Sequence, residues 1–356
     1  MKEQIAALMD EDWSVREEAA TLLGSYRDHR AVEPLINVLR DPDRAVRTAA
    51  THALAAIGET AVPAVGACLD DPNLTVQEAA AAILSAIGDG RVFDPLIAAL
   101  NRSDWVVRMH AAQALGRIGD VRAVLPLIPL LQDKVKAVRV DAANALALIG
   151  QAAVPVLVET LTHQEWLVRL HAVEALGKIK SPDAVEPLLR LMFNDRDAAI
   201  RTDAARSLGD IGDPRAVEFL LTAMSDMDVR QTAVEALGKI GDRRAVPALI
   251  AVLKGTSRPA QSRAIDGCGD RWDAEVLTMA AATRALAQIQ DENVIPTLVA
   301  ALQSTLTRSE AASALVTFGP PAIPFLLDVL KKERDENILY YAKEALQGLG
   351  WRPNRL

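Results

Sequence analysis

Residues 213 to 241 read Asp-Pro-Arg-Ala-Val-Glu-Phe-Leu-Leu-Thr-Ala-Met-Ser-Asp-Met-Asp-Val-Arg-Gln-Thr-Ala-Val-Glu-Ala-Leu-Gly-Lys-Ile-Gly. Two helices are written in this stretch. Asp213 is an N-cap residue, and Pro214 follows at the first helical position, where its missing N–H costs nothing. The first helix runs through Ala216-Val217-Glu218-Phe219-Leu220-Leu221, and Ser225-Asp226-Met227-Asp228 breaks it. The second carries Val229, Ala233, Val234, Ala236, Leu237 and Ile240 as one apolar stripe at helical spacing. Gly241 ends it, as a left-handed C-cap does.

The same unit recurs outward in both directions. Val15-Arg16, Val46-Arg47, Val107-Arg108, Val138-Arg139, Val168-Arg169, Ile200-Arg201 and Val229-Arg230 each head a run of small apolar residues, and Val76-Gln77 fills the one gap. Successive steps are 31, 30, 31, 31, 30, 32 and 29 residues. Pro34, Pro63, Pro95, Pro126, Pro155 and Pro187 keep the same beat. They are read as falling in the second turn of each first helix, where each would remove a backbone bond and bend it. A period near thirty predicts an all-α superhelix: one solenoid over residues 1–356, about eleven stacked helix pairs. Asp12–Arg16, Asp43–Arg47, Asp104–Arg108, Glu165–Arg169, Asp197–Arg201 and Asp226–Arg230 share an i, i+4 spacing, and Asn73 accompanies Gln77. That paired change assigns the two residues one structural job: the acid caps the second helix and the arginine bonds the acid or the neighbouring repeat.

Composition narrows the function. The formal net charge is −8, against the basic footprint of a nucleic-acid binder. Two cysteines, Cys68 and Cys268, exclude a disulfide scaffold. No run of eighteen apolar residues predicts a membrane span, and the charged start does not read as a signal peptide. A reducing, cytoplasmic address is the expectation.

The units resemble HEAT repeats of the short type named after phycobilisome lyases. The resemblance rests on residues 210–218, Asp-Ile-Gly-Asp-Pro-Arg-Ala-Val-Glu, and on 235–250, Glu-Ala-Leu-Gly-Lys-Ile-Gly-Asp-Arg-Arg-Ala-Val-Pro-Ala-Leu-Ile. It is strongest from 31 to 253. It implies that the second helices line a concave face. On that face the outward columns place Trp105, Met109, His110 and Gln113 in the fourth unit, Val140, Asp141 and Asn144 in the fifth, and Trp166, Leu170, His171 and Glu174 in the sixth. Apolar bulk with polar neighbours on an exposed face marks a binding site. Trp105, Met109, His110, Asp141, Trp166, Leu170, His171 and Glu174 are therefore the candidate partner-binding residues. The competing reading has the tryptophans, Met109, Val140 and Leu170 as packing between adjacent second helices.

No catalytic residue, metal site or cofactor is expected. His110 and His171 lie two units apart, about 16–20 Å at ordinary interhelical spacing, too far for one ion. The family's iron hydroxylases use adjacent His-Glu pairs, and none occurs here: the histidines precede Arg30, Ala53, Ala111, Gln164 and Ala172. The beat fails once, at residues 254–275, read as a loop inserted in the ninth repeat and containing Gly267-Cys268-Gly269. Cys68 is expected in the core. The favoured function is a non-catalytic scaffold that binds a protein or peptide partner, with no nucleic acid and no membrane. The alternative implied by the resemblance is a phycobilin lyase-like protein that holds and attaches a chromophore. Partner identity and oligomeric state are left open.

Overall fold

The computed structural model describes residues 1–88, 90–255 and 269–351. These residues form eleven helix pairs and contain no strand. The chain divides into two packing units, Met1–Ala175 and Leu176–Leu356. In each, one second helix stacks on the next, and the first helices cover one side of that stack.

The first helix of a repeat opens as a 3-10 turn and continues as α-helix. His29–Ala31 followed by Val32–Val38 is one case, and Pro214–Ala216 followed by Val217–Ala223 is another. The prolines differ from the sequence expectation. Pro34, Pro63 and Pro155 lie in the first turn of their α-helices, one or two residues after Val32, Val62 and Val154. The N–H groups of a first turn have no α-helical acceptor, so a proline there removes no α-helical bond. It marks where the 3-10 turn passes into the α-helix.

The second helices follow the predicted stripe. Val46, Val76, Val107 and Val138 are fully buried, as are Leu54, Leu84, Leu115 and Leu146 one face-repeat later. Glycine sets the spacing between them. A Cβ on Gly116 would stand 2.6 Å from the Cα of Ala145 in the next repeat, and one on Gly24 2.6 Å from the Cα of Ala53. Small residues on both sides bring the helices together, and any larger side chain would push them apart. Positive-φ glycines end several of these helices, including Gly119, Gly212 and Gly241.

The acid–arginine pattern resolves into two separate roles. The acid is the N-cap: Asp43 accepts from Ala45 N–H at 2.7 Å and Asp104 from Val106 N–H at 2.8 Å. Asn73 does the same for Thr75 N–H. The arginine does not bond that acid. Its Nη1 donates back to two carbonyls of the preceding turn, as Arg108 does to Arg102 and Ser103 at 2.7 and 2.8 Å. In Arg16, Arg108 and Arg201 the other nitrogens cross to the next repeat. Arg16 donates to both oxygens of Asp41 at 2.7 and 3.0 Å, and Arg108 to both of Asp133 at 2.8 and 3.0 Å. Gln77 keeps half the job, donating to the Asp71 carbonyl at 2.6 Å.

The ladder is irregular at several rungs: Arg47 holds the carbonyls of Asp41 and Pro42, while Asp71 in the next repeat is paired by Arg40. Arg139 holds the carbonyls of Asp133 and Lys134, but the next turn carries His163 where Asp41 and Asp133 stand in theirs. Its Nε is buried without a hydrogen-bond partner. Arg230 meets Gly255 at the usual spacing, and Glu275 supplies a carboxylate oxygen 3.7 Å away instead. Glu275 belongs to the helix Gly269–Ile289, so residues 269–275 are helical and not part of a loop. Asp270 to Glu275 contain no glycine or proline, so the helix of the Val276 stripe extends backward through them. Residues 256–268, including Cys268, lie outside the described residues. Cys68 is buried as expected, with burial raising its thiol pKa.

Two stretches, Arg44–Asp70 and Lys136–Thr160, hold enough apolar residues for a membrane span. Each is interrupted at a positive-φ glycine, Gly58 or Gly150, and each turns its apolar side into the helical stack.

Candidate binding face

Six second helices of the first unit build the face: Trp13–Tyr26, Arg44–Ile57, Leu74–Ile87, Trp105–Ile118, Lys136–Ile149 and Trp166–Ile179, the last as far as Ala175. Trp105 and Trp166 are the first residues of theirs. The first position of a helix has no preceding turn to lie against. Trp105 is 41% exposed and Trp166 44%, far more than a core aromatic. Met109, Val140 and Leu170, one turn further along, are half-buried.

A polar row runs beside them. His110 is hydrogen-bonded to Gln113, and Gln113 donates through Nε2 to Asp141 of the next repeat at 2.9 Å. Burial pulls the His110 pKa below the ordinary imidazole value, against the raising effects of the Gln113 bond and of Glu78 and Asp141. The ring is thus held neutral. Arg117 reaches back to Ser85, donating to its carbonyl at 2.6 Å and to its hydroxyl. Two repeats after His110, His171 Nδ1 lies 2.8 Å from Glu174 Oε2.

The structure therefore brings His110 and Asp141 into one network through Gln113 and pairs His171 with Glu174. His171 is only 4% exposed. It cannot present its ring to a partner as the sequence reading had it; it orients the half-buried carboxylate of Glu174. Gln113 stands in the outward column with Asn144 and Glu174, five residues after the arginine position, but is not among the eight candidate binding residues; the structure makes it the link between His110 and Asp141. Among the described residues no three His, Cys, Asp or Glu side chains are placed to hold a metal ion.

A second ladder also escaped sequence reading, although its motif lies in the quoted signature. Asp28, Asp120, Asp213 and Asp242 each cap the 3-10 turn and bind the arginine two residues on. Arg215 and Arg244 extend from this pair to the carbonyls of Pro182 and Pro214 in the preceding repeats, at 3.0 and 2.9 Å. Arg122 lies 4.1 Å above the Phe93 ring. These contacts hold the inter-repeat turns in step.

The HEAT-repeat family model matches residues 2–85, 62–147, 124–204, 154–229, 187–269 and 270–347. The chain belongs to the HEAT-repeat family. A search of curated proteins finds no match. Among solved structures, HEAT solenoids align over nearly the whole chain. Yeast importin-β (Kap95p) does so at 16% identity and a TM-score of 0.61, over 98% of this chain and 57% of that one. Kap121p aligns at 14% identity and a TM-score of 0.63, over 98% and 45%. The CpcE–CpcF complex of phycocyanin lyase from Nostoc sp. matches at 27% identity over 63% of this chain and 93% of that one, with a TM-score of 0.35. The chain spans about half the length of the importin-β chains it matches. At 14–16% identity the likeness to Kap95p and Kap121p is one of fold.

Proposed function

We propose that the second-helix face of residues 1–175 binds a protein or peptide partner without catalysis. The observation that carries this reading is the exposure of Trp105 and Trp166 at the ends of two rigid helices, beside a fixed row of hydrogen-bonded polar groups. Large aromatics held on rigid elements supply contact area at low entropic cost and form the usual anchors of an interface. Met109 and Leu170 extend the apolar contact. His110, Asp141 and Glu174 offer the polar complement, and His171 holds Glu174 in place. A neutral imidazole and two carboxylates favour a ligand that brings hydrogen-bond donors. That Kap95p, an importin-β of the same fold, binds RanGDP and has been solved in a complex with Nup1 agrees with this use of the fold.

The test is peptide display against the full chain, followed by hydrogen exchange with the enriched peptide bound. Slowed exchange in Trp105–Ile118, Lys136–Ile149 and residues 166–175 is the expected result. Slowing confined to the first helices overturns the proposal.

A further inference from the structure

The second helices of the fourth, fifth and sixth repeats start on Trp105, Lys136 and Trp166. The three positions are equivalent, because Val107, Val138 and Val168 stand two residues further on and are all sealed in the core. All three side chains are exposed. The row that carries the two tryptophans is thus interrupted by one cation, about 8–10 Å from each at ordinary interhelical spacing.

The charge of Lys136 is not offset as charges are elsewhere in that row. Arg44 holds the same position in the second repeat, but it follows the N-cap carboxylate of Asp43. Lys136 follows Val135, which provides no side-chain cap. Lys134 is exposed as well, and among the described residues neither lysine meets a carboxylate. The acid of this turn, Asp133, is already taken: it receives Arg108 on both oxygens and the Val135 N–H on Oδ1. Arg139 adds a third cation, with its Nε buried and without a hydrogen-bond partner. Asp104 and Glu165 belong to the neighbouring repeats and precede the tryptophans. Asp141 and Glu174 lie more than a helical turn further along their helices, five residues after Lys136 and eight after Trp166. In a chain of net charge −8, the midpoint between the two exposed tryptophans is locally positive.

We infer that the partner is an extended peptide segment with an aspartate or glutamate midway between two apolar residues. The apolar residues meet Trp105 and Trp166, and the carboxylate meets Lys136 with Lys134 beside it. Two repeats span about 16–20 Å, and an extended backbone covers about 3.3 Å per residue, so the apolar residues stand about five or six positions apart. An acid at the midpoint is attracted and a lysine there is repelled, so the row selects by charge as well as by apolar contact. Apolar contact alone would leave the midpoint unspecified. The inference rests on the proposed use of the tryptophan face and adds the chemistry of its occupant.

The probe is a phage-displayed library of random peptides, selected separately against the full chain and against the full chain carrying Lys134→Glu and Lys136→Glu. Both substitutions are at exposed positions, and an acid at residue 136 suits the helix dipole, so the variant should melt as the parent does. The parent should enrich peptides with an acid between two apolar residues, and the variant should enrich lysine or arginine at that place. A synthetic copy of the parent's peptide should lose about fivefold or more in affinity when its acid becomes lysine, and the variant should reverse that preference. The difference should shrink as salt is raised, because exposed charges are screened. Peptides that need Trp105 and Trp166, as judged by alanine substitution, yet show no preference for an acid overturn this inference and leave the tryptophan face standing. Peptides whose binding ignores both tryptophans, or a failure to enrich any peptide, overturn both.

Discussion

At the scale of single residues, exposure separates roles that spacing could not. Trp105, His110 and His171 were all legible as a face from their columns, because the thirty-residue beat fixes which positions share a side. Which of them meets solvent was not legible. It depends on how far a neighbouring helix covers each ring, and that is decided across repeats. His110 gives a prediction with a definite sign. Its folded pKa is lowered, so between that value and the unfolded value of about 6.5 the native state binds fewer protons than the unfolded one. Its contribution to stability is intact above pH about 6.5, falls as pH drops through that window, and levels off beneath the folded value. Replacing His110 with Gln should flatten the part of the stability–pH curve just below 6.5, measured by urea unfolding at a series of pH values. An unchanged slope would show the ring to be as freely protonated as in the unfolded chain.

At the scale of elements, caps and stripes were read correctly because they are local, while the destination of each arginine was not local. The spacing i, i+4 paired Asp104 with Arg108, yet the guanidinium passes over that acid to the turn carbonyls and to Asp133, 25 residues on. One consequence is a stabilising substitution. His163 stands where an aspartate would meet the orphaned Nε of Arg139. His163→Asp restores the rung while keeping the acceptor for the Glu165 N–H, now taken by His163 Nδ1 at 3.1 Å. It should raise stability by about 0.5–1.5 kcal/mol and lift the melting temperature. A lower melting temperature would mean that the turn after residue 160 holds a different shape from its counterparts. The opposite case is Gly116. An added methyl would meet the Ala145 backbone at 2.6 Å, so Gly116→Ala should cost about 1–3 kcal/mol despite its better helix propensity. Chemical denaturation decides the sign, and a stabilised variant would show that the stack yields freely.

At the scale of the whole molecule, nearest-neighbour contacts dominate, so a local change is felt mainly by the adjoining repeats. Carboxylates of the ladder set the acid limit. Hydrogen bonds from Arg16 lower the Asp41 pKa against the opposing effect of burial. For Asp133, burial pushes upward but is outweighed by Arg108, the Val135 N–H and the charge of Arg139. Both lie below the unfolded value of about 3.9, so their contribution is present above it and is lost as pH falls through it toward the folded values. Repeat number, helix order and the small-residue core were legible along the chain because each repeat restates them. The insertion was less so: its beginning is marked by Lys254-Gly255, but the helix that resumes at Gly269 has no repeat to be aligned with. The same locality makes the binding face testable apart from stability. Trp105 and Trp166 should be replaced by alanine together, and the melting temperature and the affinity for a display-selected peptide measured on the same preparation. The expected result is a melting temperature nearly unchanged and affinity reduced at least thirtyfold, corresponding to about 2 kcal/mol at the interface. Unfolding destabilised by about 3–5 kcal/mol, with affinity preserved in the folded fraction, would show that the tryptophans pack the repeats and that the partner binds elsewhere.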